Sequence, residues 1–468
     1  MARVGLVLAL CLAGLSSAAP CLAAAPDLKP PPALTLADAL DLAASNYPAV
    51  RAALEEQAAA QKNVDVARAT FAPQVNLLWQ INRATVNNIT GFFFPQGVLP
   101  SITGPVLPAT SQTAWDDGAG VLVDWNVFDG GVRAAHVAAA RETSVAARHL
   151  YELTRIEVIQ AAADAYLNIA AAQALAQTAQ ADVDRLHAFG GAVHVLVNNK
   201  LRPGVDAAQA DAAESLGRTQ LIAAQENIDV QLAILAKLLG MTPENVRLDS
   251  SDLIRAAPAD IPVASDRRME DHPAAQAEAA QLRSQEEQLR AVDRSYAPHL
   301  DLLAGASARG SGKAPGGQYL SGSNGLGLGT GNWGAGVQVT VPLGSFLSVH
   351  AQQQVQSAEV NAERFRYDQT VRELDAQLRE ARAALDSARS IAKLTPVALA
   401  AARAAEEQQR ARYKSGLANV VDVTAAEAAL AQAENQDAVA RLNVWLAWSN
   451  YSAATGDFSQ FRSLIGHP

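Results

Sequence analysis

Alternating apolar and polar positions predict short β-strands in the first part of the chain. One strand begins after Pro73, and another runs from Ala119 to Val127. In both, every second residue is apolar, which is the period of a strand with one apolar and one water-facing side. The apolar positions are Val75, Leu77, Trp79 and Ile81 in the first strand, and Ala119, Val121, Val123, Trp125 and Val127 in the second.

A heptad pattern follows the second strand and predicts one very long helix. Apolar or small residues are spaced alternately by four and three from Val158 to Val197, which is typical of a helix that packs along another helix. The stretch from Val132 to Asn198 contains no proline, and a helix of that length measures about 100 Å. Turn-forming residues at 198–204 end it, and residues 207–239 form a returning helix.

The same pattern then starts again in the second half. Pro48 and Pro273 open equivalent helices 225 positions apart, and Pro73 and Pro298 precede equivalent strands at the same spacing. After the strands the spacing becomes 216, and the heptad positions again fall on apolar residues. The chain therefore contains two copies of the same structural repeat. The third and fourth predicted strands have apolar faces formed by Leu300, Leu302, Ala304 and Ala306, and by Val337, Val339, Val341 and Leu343.

The predicted fold is mainly α with a small β part, built from duplicated long-helix coiled-coil hairpins and four strands per chain. An export signal is indicated by Arg3, an apolar run and the small residues before position 26, and no later stretch is apolar enough for a spanning helix. The predicted units are a signal peptide at 1–25, a first repeat at 26–246, a linker at 247–263, a second repeat at 264–460 and a tail at 461–468.

Four strands are too few to close a barrel, because a closed barrel with a filled interior needs about eight. An open sheet in lipid would leave its edge backbone groups unpaired. If the strands span a membrane, several chains must therefore share one barrel, with polar residues facing water and tryptophans near its rims. A pair of soluble hairpins is the alternative. The polar residues are Asn76, Gln80, Asn126, Gln338 and Thr340, and the tryptophans are Trp79, Trp115, Trp125 and Trp333.

Composition narrows the classes of function. The chain has 37 basic and 47 acidic side chains, and its basic residues form no stripe that could bind nucleic acid. The two cysteines lie in or beside the signal, so a mature chain has no disulfide. Cys21 is a candidate lipid anchor, although Pro20 before it favours its removal with the signal.

No enzyme, cofactor or metal site is predicted. His187 and His194 lie two turns apart on the long helix, and such histidines are more often solvated than metal-bound. The chain has no His-Glu-x-x-His or Gly-x-Ser-x-Gly pattern. An enzyme would need a convergent set of reactive residues, and the sequence indicates none.

Three features of the sequence are informative together: the duplication, the strand-to-helix passage VLVDWNVFDGG, and the turn sequences NKLRPGVDAAQADA and YKSGLANVVDVTAAEA. In these features the chain resembles the outer membrane efflux protein family, the TolC-like channel-tunnels. The resemblance covers the whole mature chain. It implies a homotrimer whose strands form one transmembrane β-barrel in outer membrane lipid, while its helices form a hollow α-helical barrel across the periplasm. It further implies two partners, a periplasmic adaptor (membrane fusion) protein and an inner-membrane transporter.

The resemblance also assigns residues at the two turns, which would form the periplasmic tip. In the family, a glycine and a leucine of each turn contact the helical hairpin of the periplasmic adaptor. Gly416 and Leu417 match them, whereas Lys200 and Leu201 stand at the first turn, so a lysine replaces one glycine. A glycine there is otherwise a simple turn former.

The periplasmic gate of the family corresponds to Asp206, Asp422 and Tyr413. A family arginine is replaced by Ala418, which predicts a less heavily latched gate. An aspartate just after a turn is otherwise usually a helix N-cap, so both interpretations of the aspartates stay open.

The sequence thus predicts an outer membrane channel of a tripartite efflux or type I secretion system, extending into the periplasm and conducting substrates passively as a trimer. The alternative is a periplasmic coiled-coil scaffold without a channel. A scaffold would keep the heptads but would not need alternating strands.

Overall fold

The computed structural model describes residues 33–85, 113–249, 268–311 and 325–466, with the short pieces 257–258, 261–262 and 322–323. The predicted signal peptide and Cys21 lie outside the described residues, and the predicted linker is described only in part. The helices are α1 (Leu36–Asn46), α2 (Pro48–Ala69), α3 (Val132–Asn198), α4 (Gly204–Leu239), α5 (Pro273–Arg294), α6 (Phe346–Lys414), α7 (Val420–Ala454) and α8 (Ser459–Gly466). The strands are β1 (Gln74–Thr85), β2 (Thr113–Phe128), β3 (His299–Ser311) and β4 (Thr330–Thr340).

The predicted fold class is confirmed: two long helical hairpins, α3–α4 and α6–α7, accompany a small four-stranded sheet. Helix α3 has 67 residues and α6 has 69, so each is about 100 Å long. The heptad positions of α3 are buried, except Ala176, Ala179 and Val197, which are half-buried. The coiled-coil pattern therefore marks the packed face of the helix.

The helices pack in two successive orders along the molecule. Near the sheet the order is α2, α3, α5 and α6, and towards the turns it is α4, α3, α7 and α6. Helix α3 of the first repeat therefore lies against α7 of the second. The returning helices are not equivalent, because α7 is largely buried while α4 exposes apolar side chains. Those of α4 are Val205, Leu216, Ile222, Val230 and Ile234.

Polar side chains join α3 to α7, and we call this contact the inter-repeat seam. Its hydrogen-bonded pairs include Gln160 with Asn450 at 2.9 Å and Asp164 with Ser449 at 3.0 Å. Burial raises the pKa of Asp164 to about 6, against the opposing effect of the Ser449 hydrogen bond. The two repeats are thus held together partly by groups whose charge depends on pH.

The largest apolar cluster surrounds Trp445 and Trp448, which are fully buried on α7. Helices α1 and α8 close it from the two ends of the described chain, where Phe461 lies edge-on to Trp445 with ring centroids 6.3 Å apart. Residues 461–466, predicted as a tail, lie in α8. Tyr166 of α3 donates its hydroxyl proton to the carbonyl oxygens of Leu34 and Asp249, at 2.9 and 2.7 Å.

The four strands form one antiparallel sheet in the order β1-β2-β3-β4. Its register aligns the predicted apolar faces, since Leu77 pairs with Val121, Val121 with Ala306, and Ala306 with Trp333. Side chains at directly opposed positions point to the same side of a sheet. One apolar face therefore runs across all four strands, and it is open, with Leu77 80 % and Trp333 85 % exposed.

The fourth strand ends earlier than predicted. Thr340 is its last residue, so Val341 and Leu343 do not extend the apolar face as strand positions. Pro342 follows, and it has no backbone N–H to donate to a neighbouring strand. Leu343–Ser345 instead forms a short helical turn that leads into α6.

Asp129 stabilises the connection between β2 and α3 through hydrogen bonds. Its carboxylate accepts from the backbone N–H of Gly131 at 3.0 Å and from the backbone and side chain of Arg133 at 2.9 and 2.8 Å. Burial alone would raise the pKa of Asp129, but these hydrogen bonds lower it below its usual value. A side chain at Gly130 would collide with Ala297, whose Cβ would lie 2.1 Å from the added carbon. Gly130 therefore allows the connection between β2 and α3 to lie against the connection between α5 and β3.

Candidate functional site at the helix turns

The two turns follow the same backbone path. After α3, the N–H of Leu201 donates to the carbonyl of Leu196 at 2.9 Å, and after α6 the N–H of Leu417 donates to Arg412 at 2.8 Å. Both are helix C-caps closed by a residue in the left-handed region, where φ is +55° at Lys200 and +75° at Gly416. Lys200 is the only non-glycine with positive φ among the described residues. The lysine thus takes up the conformation of the glycine it replaces.

Glycine at the first turn is expected to stabilise the protein. The left-handed conformation costs a non-glycine residue about 1–2 kcal/mol, partly offset by the greater freedom of glycine in the unfolded chain. We therefore expect Lys200→Gly to raise the free energy of unfolding by up to about 1 kcal/mol, measured by denaturant titration in detergent. The reciprocal Gly416→Lys should lower it by a similar amount, and changes of equal sign in both variants would refute this account.

The returning helices begin differently, although each has an aspartate as its third residue. Asn419 is the N-cap of α7, and it forms a capping box with Asp422, with backbone-to-side-chain distances of 2.9 and 3.0 Å. Pro203 takes the N-cap position of α4, so Asp206 forms no capping bond and is only 9 % exposed. The N-cap interpretation is therefore wrong for both aspartates. Asp422 supports the cap from the third position instead.

Tyr413 joins the first turn to the second hairpin. It is buried in a small cluster, with its ring 5.3 Å from and edge-on to that of Phe189. The guanidinium of Arg202 lies 4.7 Å from the centre of the same ring, a cation–π contact. Burial raises the pKa of Tyr413, Arg202 opposes this rise, and Asp206 adds to it. The structure therefore brings Tyr413 and Asp206 into one electrostatic environment.

Arg202 is a residue that the sequence analysis missed. It stands 216 positions before Ala418, which is the position where the family arginine is absent in the second turn. Applying the repeat spacing to that position would have identified it. The first turn thus carries a guanidinium where the second has only a methyl group.

The two histidines of α3 pair with α4 instead of standing free. His187 Nδ1 lies 3.1 Å from Glu214, and His194 Nε2 lies 2.8 Å from Asp211. Across the described ranges, no group of three or more histidine, cysteine, aspartate or glutamate side chains is placed to hold a metal ion. Within the same part of the chain, none of the helices combines the length and apolar character needed to cross a bilayer.

A group of charges around the buried Glu427, which we call the charge cluster, lies between α3, α6 and α7 near the turns. Glu427 on α7 is completely buried and binds Arg185 of α3 at 3.1 Å and Arg410 of α6. Arg185 also contacts Asp182 at 3.3 Å and Glu434 at 3.2 Å. The members are Asp182 and Arg185 on α3, Arg403, Glu406 and Arg410 on α6, and Glu427 and Glu434 on α7.

The spacing of apolar residues along α7 indicates that Glu427 is buried. Val420, Val423, Glu427 and Leu430 follow the three-and-four spacing of a buried helix face, and all four are buried. A glutamate in an apolar register is unusual, because a buried charge needs a partner. Its partner Arg410 lies on the other helix of the same hairpin, but Arg185 is distant in sequence and could be identified only from the fold.

Comparisons of sequence profile and of structure both find similarity to outer membrane proteins. The profile of a family described as outer membrane efflux protein matches residues 39–241 and 265–457. The outer membrane protein VceC of Vibrio cholerae matches with a TM-score of 0.73 at 18 % identity, over 90 % of this chain and 96 % of that one. The outer membrane channel CmeC of Campylobacter jejuni matches at 0.71 and 15 %, over 92 % and 89 %.

The open state of the outer membrane channel MtrE of Neisseria gonorrhoeae matches with a TM-score of 0.69 at 17 % identity, over 90 % of this chain and 89 % of that one. At such identities these structures show a shared fold. A search of curated protein sequences finds no match.

Proposed function

The chain belongs to the outer membrane efflux protein family, and from this premise we propose that it is the channel of a tripartite efflux or type I secretion system, conducting substrates passively as a trimer. The family consists of transport channels, not enzymes. An inner-membrane transporter would supply the substrate and the energy, and a periplasmic adaptor would link it to the channel.

The main observation that supports this proposal is the open sheet. Its apolar face is continuous across four strands, while β1 and β4 each pair on one side only within the described sheet. Unpaired strand edges in lipid cost several kcal/mol for each backbone group. Three copies joined edge to edge would close a barrel in outer membrane lipid and place Asn126 and Gln338 towards water. The exposed apolar residues of α4 support the same assembly, because a neighbouring chain would cover them.

The turns fit an adaptor-contacting tip. Leu201 and Leu417 are 69 % and 70 % exposed at equivalent points of two matching turns, and exposed apolar side chains suit a partner helix. Lys200 keeps the backbone path of Gly416, so the first turn can present the same surface with an added positive charge. Both turns are therefore proposed as adaptor contacts.

Asp206, Asp422 and Tyr413 are proposed as the gate. Tyr413 is packed between the two hairpins beneath Arg202, so opening requires this contact to separate as the tip helices shift like an iris. Each chain would bring two aspartates towards the axis, and six carboxylates around a narrow mouth attract cations.

The gate is tested by the double variant Asp206→Asn with Asp422→Asn in planar bilayers. We expect trivalent cations to block the wild-type channel, and the half-blocking concentration to rise by about tenfold or more when the ring of carboxylates is neutralised, since field and local cation concentration fall together. Asp211→Asn is the matched control, because this carboxylate lies on α4 but pairs with His194.

Unchanged block in the double variant would remove the gating role. A purified protein that proves to be a water-soluble monomer without detergent would contradict the channel itself and favour the scaffold.

A further inference from the structure

We propose that the charge cluster is a proton-responsive latch: a proton held by Glu406, beside the buried Glu427, keeps the second hairpin against α3, and loss of that proton favours opening of the tip. This proposal rests on the channel function. It concerns a site separate from the gate aspartates and from the adaptor-contacting turns.

The cluster fastens three helices at one point. Glu427, which is fully buried, is bound on one side by Arg185 of the first repeat and on the other by Arg410 of its own hairpin. Arg410 Nε also lies 2.7 Å from Glu406. Arg185 therefore holds the second hairpin to α3, and any change of charge at Glu427 acts directly on that contact.

The cluster contains one more carboxyl group than it has guanidinium groups. Four acids face three bases, and the buried carboxyl groups of Glu406 and Glu427 both bind the guanidinium of Arg410. An excess buried negative charge is costly, so we assign a retained proton to Glu406. The acids are Asp182, Glu406, Glu427 and Glu434, and the bases are Arg185, Arg403 and Arg410.

The direction of the pH response follows from Glu406. Burial raises its pKa first, the hydrogen bond and charge of Glu427 raise it further, and Arg410 and Arg185 oppose this. An acid with a raised pKa in the latched state stabilises that state at low pH, and the contribution is lost as pH rises through the raised value. When the proton leaves, the two carboxylates that bind Arg410 repel each other, and this repulsion weakens the contact of Glu427 with Arg185.

The latch lies close to the proposed gate. Glu427 is seven residues into α7, so it stands about 10 Å along the helix from its start. The first residues of α7 pack with Tyr413 in the small cluster at the turns. A loosening at Glu427 is therefore transmitted to the tip along a single rigid helix.

The test compares wild type with Glu406→Gln, which keeps a hydrogen-bond donor towards Glu427 but carries no titrating proton. Open probability in planar bilayers is measured from pH 4.5 to 8. We expect that of the wild type to rise by about threefold or more over this range, and by at most about tenfold per pH unit for each proton released. Glu406→Gln should remain at the low value of acid pH. Glu407→Gln, an exposed neighbour on α6, should behave like the wild type.

A second readout does not depend on conduction. Hydrogen exchange of residues 400–430 in detergent, corrected for the intrinsic pH dependence of exchange, should lose protection with rising pH in the wild type but not in Glu406→Gln. If the protein conducts nothing while this difference persists, the channel function fails and the latch stands. If Glu406→Gln keeps the wild-type pH response in both measurements, the latch is refuted. It is equally refuted if Asp164→Asn, and not Glu406→Gln, abolishes the response.

Discussion

Replacement of Arg185 by methionine is expected to lower the free energy of unfolding by about 3–5 kcal/mol, because it removes the ion-pair partner of the buried Asp182 and one of the two partners of both Glu427 and Glu434. Arg185 is the only residue of α3 that binds both Glu427 and Glu434 in the described chain, and Glu427 has no access to water. Methionine preserves much of the side-chain volume, so the loss reports chiefly on charge. The measurement is denaturant unfolding of the protein in detergent.

Two controls separate charge from packing. Arg218→Met removes an exposed arginine that pairs with Glu214 on α4, and such surface pairs contribute only about 0–1 kcal/mol. Adding Glu427→Gln to Arg185→Met should restore a substantial part of the lost stability, because it removes one of the buried negative charges that have lost Arg185. If the second substitution deepens the loss instead, unpaired charge is not the cause.

Phe461→Ala is the second substitution with a large expected effect, a loss of about 3–5 kcal/mol, the range for truncating a buried aromatic residue. Phe461 has no exposed surface and packs edge-on against both Trp445 and Phe458. The same denaturant titration measures the loss. Ser463→Ala, at an exposed position of the same short helix, should change stability little. A small loss in Phe461→Ala would mean that α8 is not part of the central core.

Sequence periodicity predicted the long elements because their burial is regular. The bounds of α3 agree with the prediction, since a heptad pattern runs along it and Pro203 follows its end. The strands were recognisable because each has one apolar face. The end of β4 was misplaced, because Val341 and Leu343 continue the alternation on either side of Pro342 although the backbone pairing stops at Thr340.

The charged parts of the candidate site were harder to predict. Glu427 is buried by helices that are distant in sequence, and spacing alone does not say whether a polar residue in an apolar register has a partner. The final helix escaped prediction because it spans only eight residues, too few for a period to emerge. Lys200 showed where a glycine was replaced, but its left-handed conformation depends on the hydrogen bonds that close the turn.

The different surroundings of α4 and α7 make the two halves of a doubled chain non-interchangeable. Helix α7 is enclosed by its own chain, while α4 presents a row of uncovered apolar side chains. A tandem of two second halves would carry two inward-facing returning helices and no outward-facing one, and a tandem of two first halves would lack the tryptophan-centred interior. After the duplication, the returning helix of one copy became enclosed within the chain and that of the other stayed at its border, so each half now depends on the divergence of its twin.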